Sequence, residues 1–169
     1  MEKEELLLDK FQHIFIMLHH AIMMDDVNRV KHFLSNDMFR KYDSFLQNLT
    51  VNNERQMYDE LNVKSSRILQ VETTDTKKIV TVEMISRYMD YIVDKETMIY
   101  KRGNNKRRIE KKNILIFEKK LNSNDIDTFS CQSCGSSLDI NYTGVCSYCR
   151  EVTSLEDHDY ILVTLETCI

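Results

Sequence analysis

Four cysteines in two close pairs are the residues of this chain best suited to do chemistry. Cys131-Gln-Ser-Cys134 and Cys146-Ser-Tyr-Cys149 each place two thiols three positions apart, with eleven residues between the pairs. A C-x-x-C segment wraps its backbone so that both sulfurs converge on one ion, and two such segments complete a tetrahedral four-thiolate site. Gly135 suits the tight turn after the second sulfur, where a positive φ is common, while Arg150 takes the equivalent place after Cys149. Asn141 and Gly144 can reverse the chain between the pairs. With every coordination position filled by protein, none remains for water or substrate, so the expectation is one structural Zn2+ ion. Two disulfides would instead imply secretion, and the acidic, leucine-rich residues 1–10 do not form a secretory leader. A redox pair would occur once, at a helix start, rather than twice. Cys168 is left over as a terminal thiol.

The second chemical feature is a basic run: Lys101, Arg102, Lys106, Arg107, Arg108, Lys111 and Lys112, interrupted by Glu110 near its end. It can contact an anionic partner, such as lipid head groups or an acidic protein surface, or it can be a solvated hairpin paired with the acidic C-terminal segment. The second reading is the commoner fate of a charge run. Charge is unevenly spread: residues 63–122 hold 15 basic and 8 acidic side chains, whereas residues 123–169 hold 1 and 8. Nucleic acid is disfavoured as a partner, because Arg150 is the one basic residue in the cysteine segment and phosphate contact needs more. His13, His19, His20 and His32 sit among helical residues with no convergent cysteine or carboxylate pattern, so they are not read as ligands.

These groups must be held by the elements around them. Leu7, Leu8, Phe11, Ile14, Phe15, Leu18 and Ile22 recur at helical spacing, and Asp25-Asp26 ends that helix. Asp26 is a candidate N-cap for a helix over 27–34, and a third helix starts near Ser35 with a stripe from Met38 to Leu49. Asn53 followed by Gln56 resembles a capping box for a fourth, short helix to Leu61. Beyond Leu61 the composition turns to β-branched and aromatic residues. Strands are expected over 64–73, 79–93, 98–102, 109–119 and 157–165, with turns at Asp75-Thr76-Lys77, Asp94-Lys95-Glu96 and Gly103-Asn104-Asn105. Helices followed by antiparallel strands make an α+β fold.

At 42% hydrophobic, the 169 residues can bury a core without any staple. The most apolar stretch, 11–24, is too short and too interrupted by histidines to span a bilayer, so a soluble, cytoplasmic protein is expected.

Taken in order, these segments resemble the bacterial proteins related to the C-terminal domain of Tim44, the tether of the mitochondrial inner-membrane import motor. The resemblance rests on Phe11 to Leu34 with Asp25-Asp26 between the opening helices, and on Asn53 with Tyr58 and Leu61. It continues through Asp90-Tyr91-Ile92-Val93-Asp94 with Thr97 and Gly103 to the cysteine segment followed by Asp159-Tyr160-Ile161-Leu162. The resemblance implies a nuclear-transport-factor-two-like cone, in which helices and a curved antiparallel sheet enclose an apolar pocket. The cone would comprise residues 1–121 and 157–169, with residues 122–156 as an inserted zinc ribbon. It further implies a non-enzymatic module binding a protein or a lipid, in protein transport or in assembly at the cytoplasmic face of a membrane. The chain departs from many relatives in having no tryptophan and no membrane-spanning stretch.

Two alternatives stay open. A small-molecule enzyme could use Asp90, Tyr91 and His158 as an acid–base set in the cone pocket. Asp90 and Tyr91 are neighbours on a strand, however, so only one can face inward. The other alternative is a nucleic-acid-binding ribbon protein.

Overall fold

The computed structural model describes residues 3–121 and 159–168. Helix α1 spans Glu4–Met23 and buries the stripe Leu7, Phe11, Ile14, Phe15, Leu18 and Ile22. Asp25 ends it in the left-handed region, at φ 57°. The next segment, Val27–Phe33, is a 3-10 helix rather than the expected α-helix, and Asp26 makes no capping hydrogen bond. Its carboxylate instead accepts from Arg29 Nε at 3.1 Å. The buried positions explain the tighter winding. Val27, Val30 and Phe33 lie three apart, so a three-residue turn stacks all of them on one side.

Helix α2 spans Asn36–Val51. Ser35 caps it, its Oγ accepting from the backbone N–H of Met38 at 3.2 Å. Ser35→Ala is expected to lower stability by about 1 kcal/mol in urea unfolding, since it orphans that donor.

Among the described residues four strands follow: β1 (Glu54–Thr73), β2 (Lys77–Asp94), β3 (Tyr100–Lys120) and β4 (Ile161–Cys168). They pair antiparallel in sequence order as a single sheet. The segment expected to be helical over 53–61 therefore forms the opening of β1 from Glu54 onward. Asn53, at φ 57°, ends α2 and Glu54 pairs at once with Asp94. Cross-strand partners for every residue from Glu54 to Asp59 outweigh a local capping signal. Likewise, Gly103-Asn104-Asn105 does not reverse the chain. Asp90 pairs with Asn104 but Tyr88 with Ile109, so residues 105–108 bulge out of a continuous β3. Asn104 Oδ1 accepts from the N–H groups of Lys106 and Arg107, both at 3.2 Å, which closes the bulge.

Along β2, Val80, Val82, Met84, Ser86 and Tyr88 alternate with half-buried residues and turn toward the helices. Their neighbours Leu115 and Phe117 on β3, and Leu162 and Leu165 on β4, complete the floor under α1. Phe11 stacks on Phe117 with ring centroids 3.8 Å apart, and Tyr160 meets Phe11 edge-on at 5.3 Å. Lys10 Nζ lies 2.5 Å from Asp159 Oδ2, tying α1 to the start of β4. The 3-10 segment joins the sheet at its far edge, where Ser35 N–H donates to Leu162 O at 3.0 Å.

Candidate functional site

Cys131, Cys134, Cys146 and Cys149 lie outside the described residues, as does His158. Cys168, at the end of β4, is a free and exposed thiol. Among the described residues, no group of His, Cys, Asp or Glu is arranged to hold a metal.

The basic run lies along β3, whose first half pairs with β2 alone, because β4 begins its pairing at Lys112. Most of its cations are partnered within the sheet. Arg102 holds the Glu54 carboxylate with two bonds, at 2.5 and 3.0 Å, and Lys101 approaches it at 3.3 Å. The Arg102 hydrogen bond keeps Glu54 below the usual carboxylate range against the opposing pull of desolvation. Lys112 meets Glu83 at 3.1 Å, across from Arg67 at 3.0 Å. Arg108 stands 3.8 Å from Glu60 and donates to Asn62 at 3.3 Å. Lys111 turns the other way, under the helices, to Asp90 at 2.8 Å. Lys106 and Arg107, both in the bulge, form no ion pair among the described residues.

Asp90 does face inward and Tyr91 outward. The Asp90 carboxylate accepts from Gln56 Nε2 at 2.7 Å and from Lys111, while the Tyr91 hydroxyl donates to Asp59 on the opposite face. Burial and the Asp59 carboxylate push the Tyr91 phenol up to about 12. Around Asp90 gathers an interior cluster that sequence reasoning did not assemble. His19 is buried on the inner face of α1, its Nδ1 2.8 Å from Phe15 O, with the Tyr58 ring edge-on at 4.8 Å and Tyr88 at 5.8 Å. The Lys111 ammonium lies 5.2 Å from the Tyr88 ring centre. Burial, the largest single influence, works against the Lys111 charge, yet the Asp90 carboxylate and the Tyr88 hydroxyl together outweigh it and hold the ammonium above its ordinary range. Burial alone is the largest cause of the raised Tyr58 and Tyr88 phenols. The signal for this cluster was present in the alternation Ser86, Tyr88, Asp90 and in the Phe15–His19 helical spacing.

Nearby, Asn113 donates to Ser86 Oγ at 2.7 Å and to Met84 O at 3.2 Å, and accepts from the Thr167 hydroxyl at 3.0 Å. The buried Asn113 and Ser86 side chains are thereby satisfied, as a structural network requires.

Gly103 fixes the geometry beside Asp90. It sits at φ +102°, and a Cβ there would lie 2.5 Å from Asp90 O and 2.6 Å from Tyr91 Cα. Gly103→Ala is therefore expected to lower stability by about 2 kcal/mol in chemical denaturation, because strain and overlap with rigid backbone add.

The end of the sheet at the β2–β3 turn is apolar on its surface. Met98, Ile99 and Tyr100 are exposed in sequence, and Val51 at the end of α2 and Met24 at the end of α1 are exposed beside them. Lys95 binds these ends together: its N–H donates to Asn53 O at 2.9 Å, and its ammonium reaches Asp25 at 2.5 Å and Thr50 at 3.2 Å. A cleft of about 370 Å³ opens alongside, lined by Asp25, Asp26, Val27, Asp43, Leu46 and Val51. Among the described residues, no helix is long and apolar enough to cross a membrane.

Comparison with known proteins adds a family. The crystal structure of the intermembrane space region of the chloroplast protein ARC6 is similar over 99% of this chain and 97% of that one. At a TM-score of 0.44 and 6% identity, that likeness carries no further argument. No curated protein matches. The sequence profile of the Tim44-like domain matches residues 3–127, taking in all the helices and the first three strands. The chain belongs to the Tim44-like domain family.

Proposed function

We propose that the protein is a non-enzymatic module that binds a protein or a lipid partner in transport or membrane-associated assembly. The observation that carries this reading is the Tim44-like match over residues 3–127. The interior chemistry supports binding over catalysis. Asp90, the one inward carboxylate of the acid–base set considered above, is already engaged by Gln56 and Lys111. Lys106 and Arg107, clear of internal acids among the described residues, supply charge for an anionic surface. Each such residue contributes about 1 kcal/mol near anionic lipid.

Sedimentation of the purified chain with vesicles of phosphatidylcholine, with and without phosphatidylglycerol, tests the lipid half of the reading. Salt-sensitive binding to the anionic vesicles is expected. Absence of binding at low salt would leave the protein partner alone. Turnover of a small molecule that is lost on Asp90→Asn would overturn the non-enzymatic reading.

The proposal includes one zinc ion, held by Cys131, Cys134, Cys146 and Cys149 in a ribbon formed by residues 122–156. The doubled C-x-x-C spacing supports it. Elemental analysis should find one zinc per chain in the native protein and a loss of metal in Cys131→Ser. In that variant, residues 122–156 should become protease-sensitive while the helices and sheet keep their cooperative unfolding. Global unfolding would instead make ribbon and body one unit.

A further inference from the structure

Five of the nine large apolar residues that stand exposed among the described residues gather at one end: Met24, Val51, Met98, Ile99 and Tyr100. They come from the ends of α1 and α2 and from the β2–β3 turn. The most open are Val51, at 84% of full exposure, and Ile99, at 66%. The end is stiff. Asp25, Asn53 and Met98 each take a left-handed backbone, at φ 57°, 57° and 63°. Asp94 Oδ1 accepts from the N–H groups of Glu96 and Thr97, at 3.0 and 2.9 Å, while Asp94 N–H donates to Ile99 O at 2.8 Å. Side chains displayed on such a frame lose little conformational freedom when they are buried against a partner.

Charge selects the partner. Of the acids at this end, Asp25 is held by Lys95, Asp26 by Arg29, Glu54 by Arg102 and Lys101, and Asp94 by backbone N–H groups and Asn53, while Glu96 stays exposed. The same strand that carries Ile99 and Tyr100 away from the turn then presents Lys106 and Arg107 without an internal partner among the described residues. An apolar tip followed along one strand by unpaired cations is the pairing of signals that reversible bilayer binding needs, neither being sufficient alone. Tyr100 is suited to the boundary itself, with its ring exposed and its hydroxyl satisfied by Gly103 O at 2.6 Å.

We propose that the β2–β3 turn enters the interface of an anionic bilayer, with Ile99 and Tyr100 as the inserting side chains and Lys106 and Arg107 on the head groups. This rests on the lipid half of the function proposed above. Glu96, exposed in the same turn, keeps the insertion at head-group depth.

The chain contains no tryptophan, so Ile99→Trp places a single, selectively excitable tryptophan at the tip. With phosphatidylcholine–phosphatidylglycerol vesicles, its emission should shift to the blue and be quenched by brominated acyl chains. Ile99→Asp, at a surface position that leaves the fold's circular dichroism unchanged, should weaken vesicle binding about tenfold or more. Arg107→Glu should weaken binding chiefly at low salt. If the native chain sediments with vesicles while the tryptophan emission stays fixed and Ile99→Asp binds normally, the turn is not the inserting element, although the lipid reading survives. If the native chain does not sediment, both fall. A blue shift that grows with protein concentration in the absence of vesicles would make the tip a protein–protein contact and overturn the proposal.

Discussion

Phe117→Ala should lower the unfolding free energy by about 3–5 kcal/mol, read from urea denaturation followed by circular dichroism. Phe117 is fully buried where three parts of the fold meet. Its ring lies 3.8 Å from that of Phe11 and within 10° of parallel, so it joins α1 to the sheet. Its backbone neighbours are Val80 on β2 and Leu162 on β4, both fully buried. Removing the ring takes away the transfer energy of the side chain and leaves a cavity that two strands and a helix cannot close together. Phe117→Leu retains most of the volume and should cost under about 2 kcal/mol. In a double-mutant cycle, Phe11→Ala and Phe117→Ala should be less than additive, since each already removes the same stacked contact. Additivity would show that the two rings stabilise the core independently.

The second large effect is acid sensitivity through His19. Burial pushes this imidazole down from 6.5 to about 4, against the pull of its hydrogen bond to Phe15 O. The other charged groups acting on it are His20 and Lys111, which lower it further, and Asp90, which raises it. The unfolded chain takes up a proton near 6.5 and the folded chain only near 4. Between those values the unfolded state binds more protons, so stability is complete above about pH 6.5 and falls as the pH is lowered toward 4. The loss is on the order of 3 kcal/mol for this residue. His32, lowered to about 4 by burial alone, acts in the same direction. His19→Phe keeps an aromatic ring among Phe15, Tyr58 and Tyr88 and removes the titration. Its stability should therefore fall less steeply from pH 7 to pH 4 than that of the native chain, retaining the part due to His32. An unchanged slope would show that His19 is protonated without penalty in the folded state.

The elements legible in the sequence were those whose local signal agreed with their tertiary setting. The stripe from Leu7 to Ile22 gave α1, and Ser35 began α2 with its side chain in the capping position. Two of the three expected turns reverse the chain as read. What misled was local chemistry outvoted by distant partners. Asn53 and Gln56 look like a capping box, but Gln56 bonds to Asp90, 34 positions away. Gly103-Asn104-Asn105 carries a real turn signal, spent on a bulge because β2 is long enough to pair on both sides of it. The basic run was legible as charge and illegible as free or paired, since Glu54, Glu60, Glu83 and Asp90 come from strands earlier in the chain. The interior cluster escaped for the same reason: His19, Tyr58, Tyr88 and Lys111 belong to four different elements.

Strand β1 closes one side of the sheet with twenty residues and no neighbour beyond it among the described residues. An unguarded strand of that length is a template on which another chain can stack and begin an aggregate. Its pairing with β2 slips three times, between Asp59 and Asn62, Val63 and Ser65, and Ile68 and Gln70. An incoming flat strand would fall out of step at each slip, so only short stretches could dock before the hydrogen bonds fail to meet. The irregular edge is thus expected to keep a strand-rich protein dispersed at high concentration. Straightening it by deleting the extra residues would be expected to trade that dispersion for fibres.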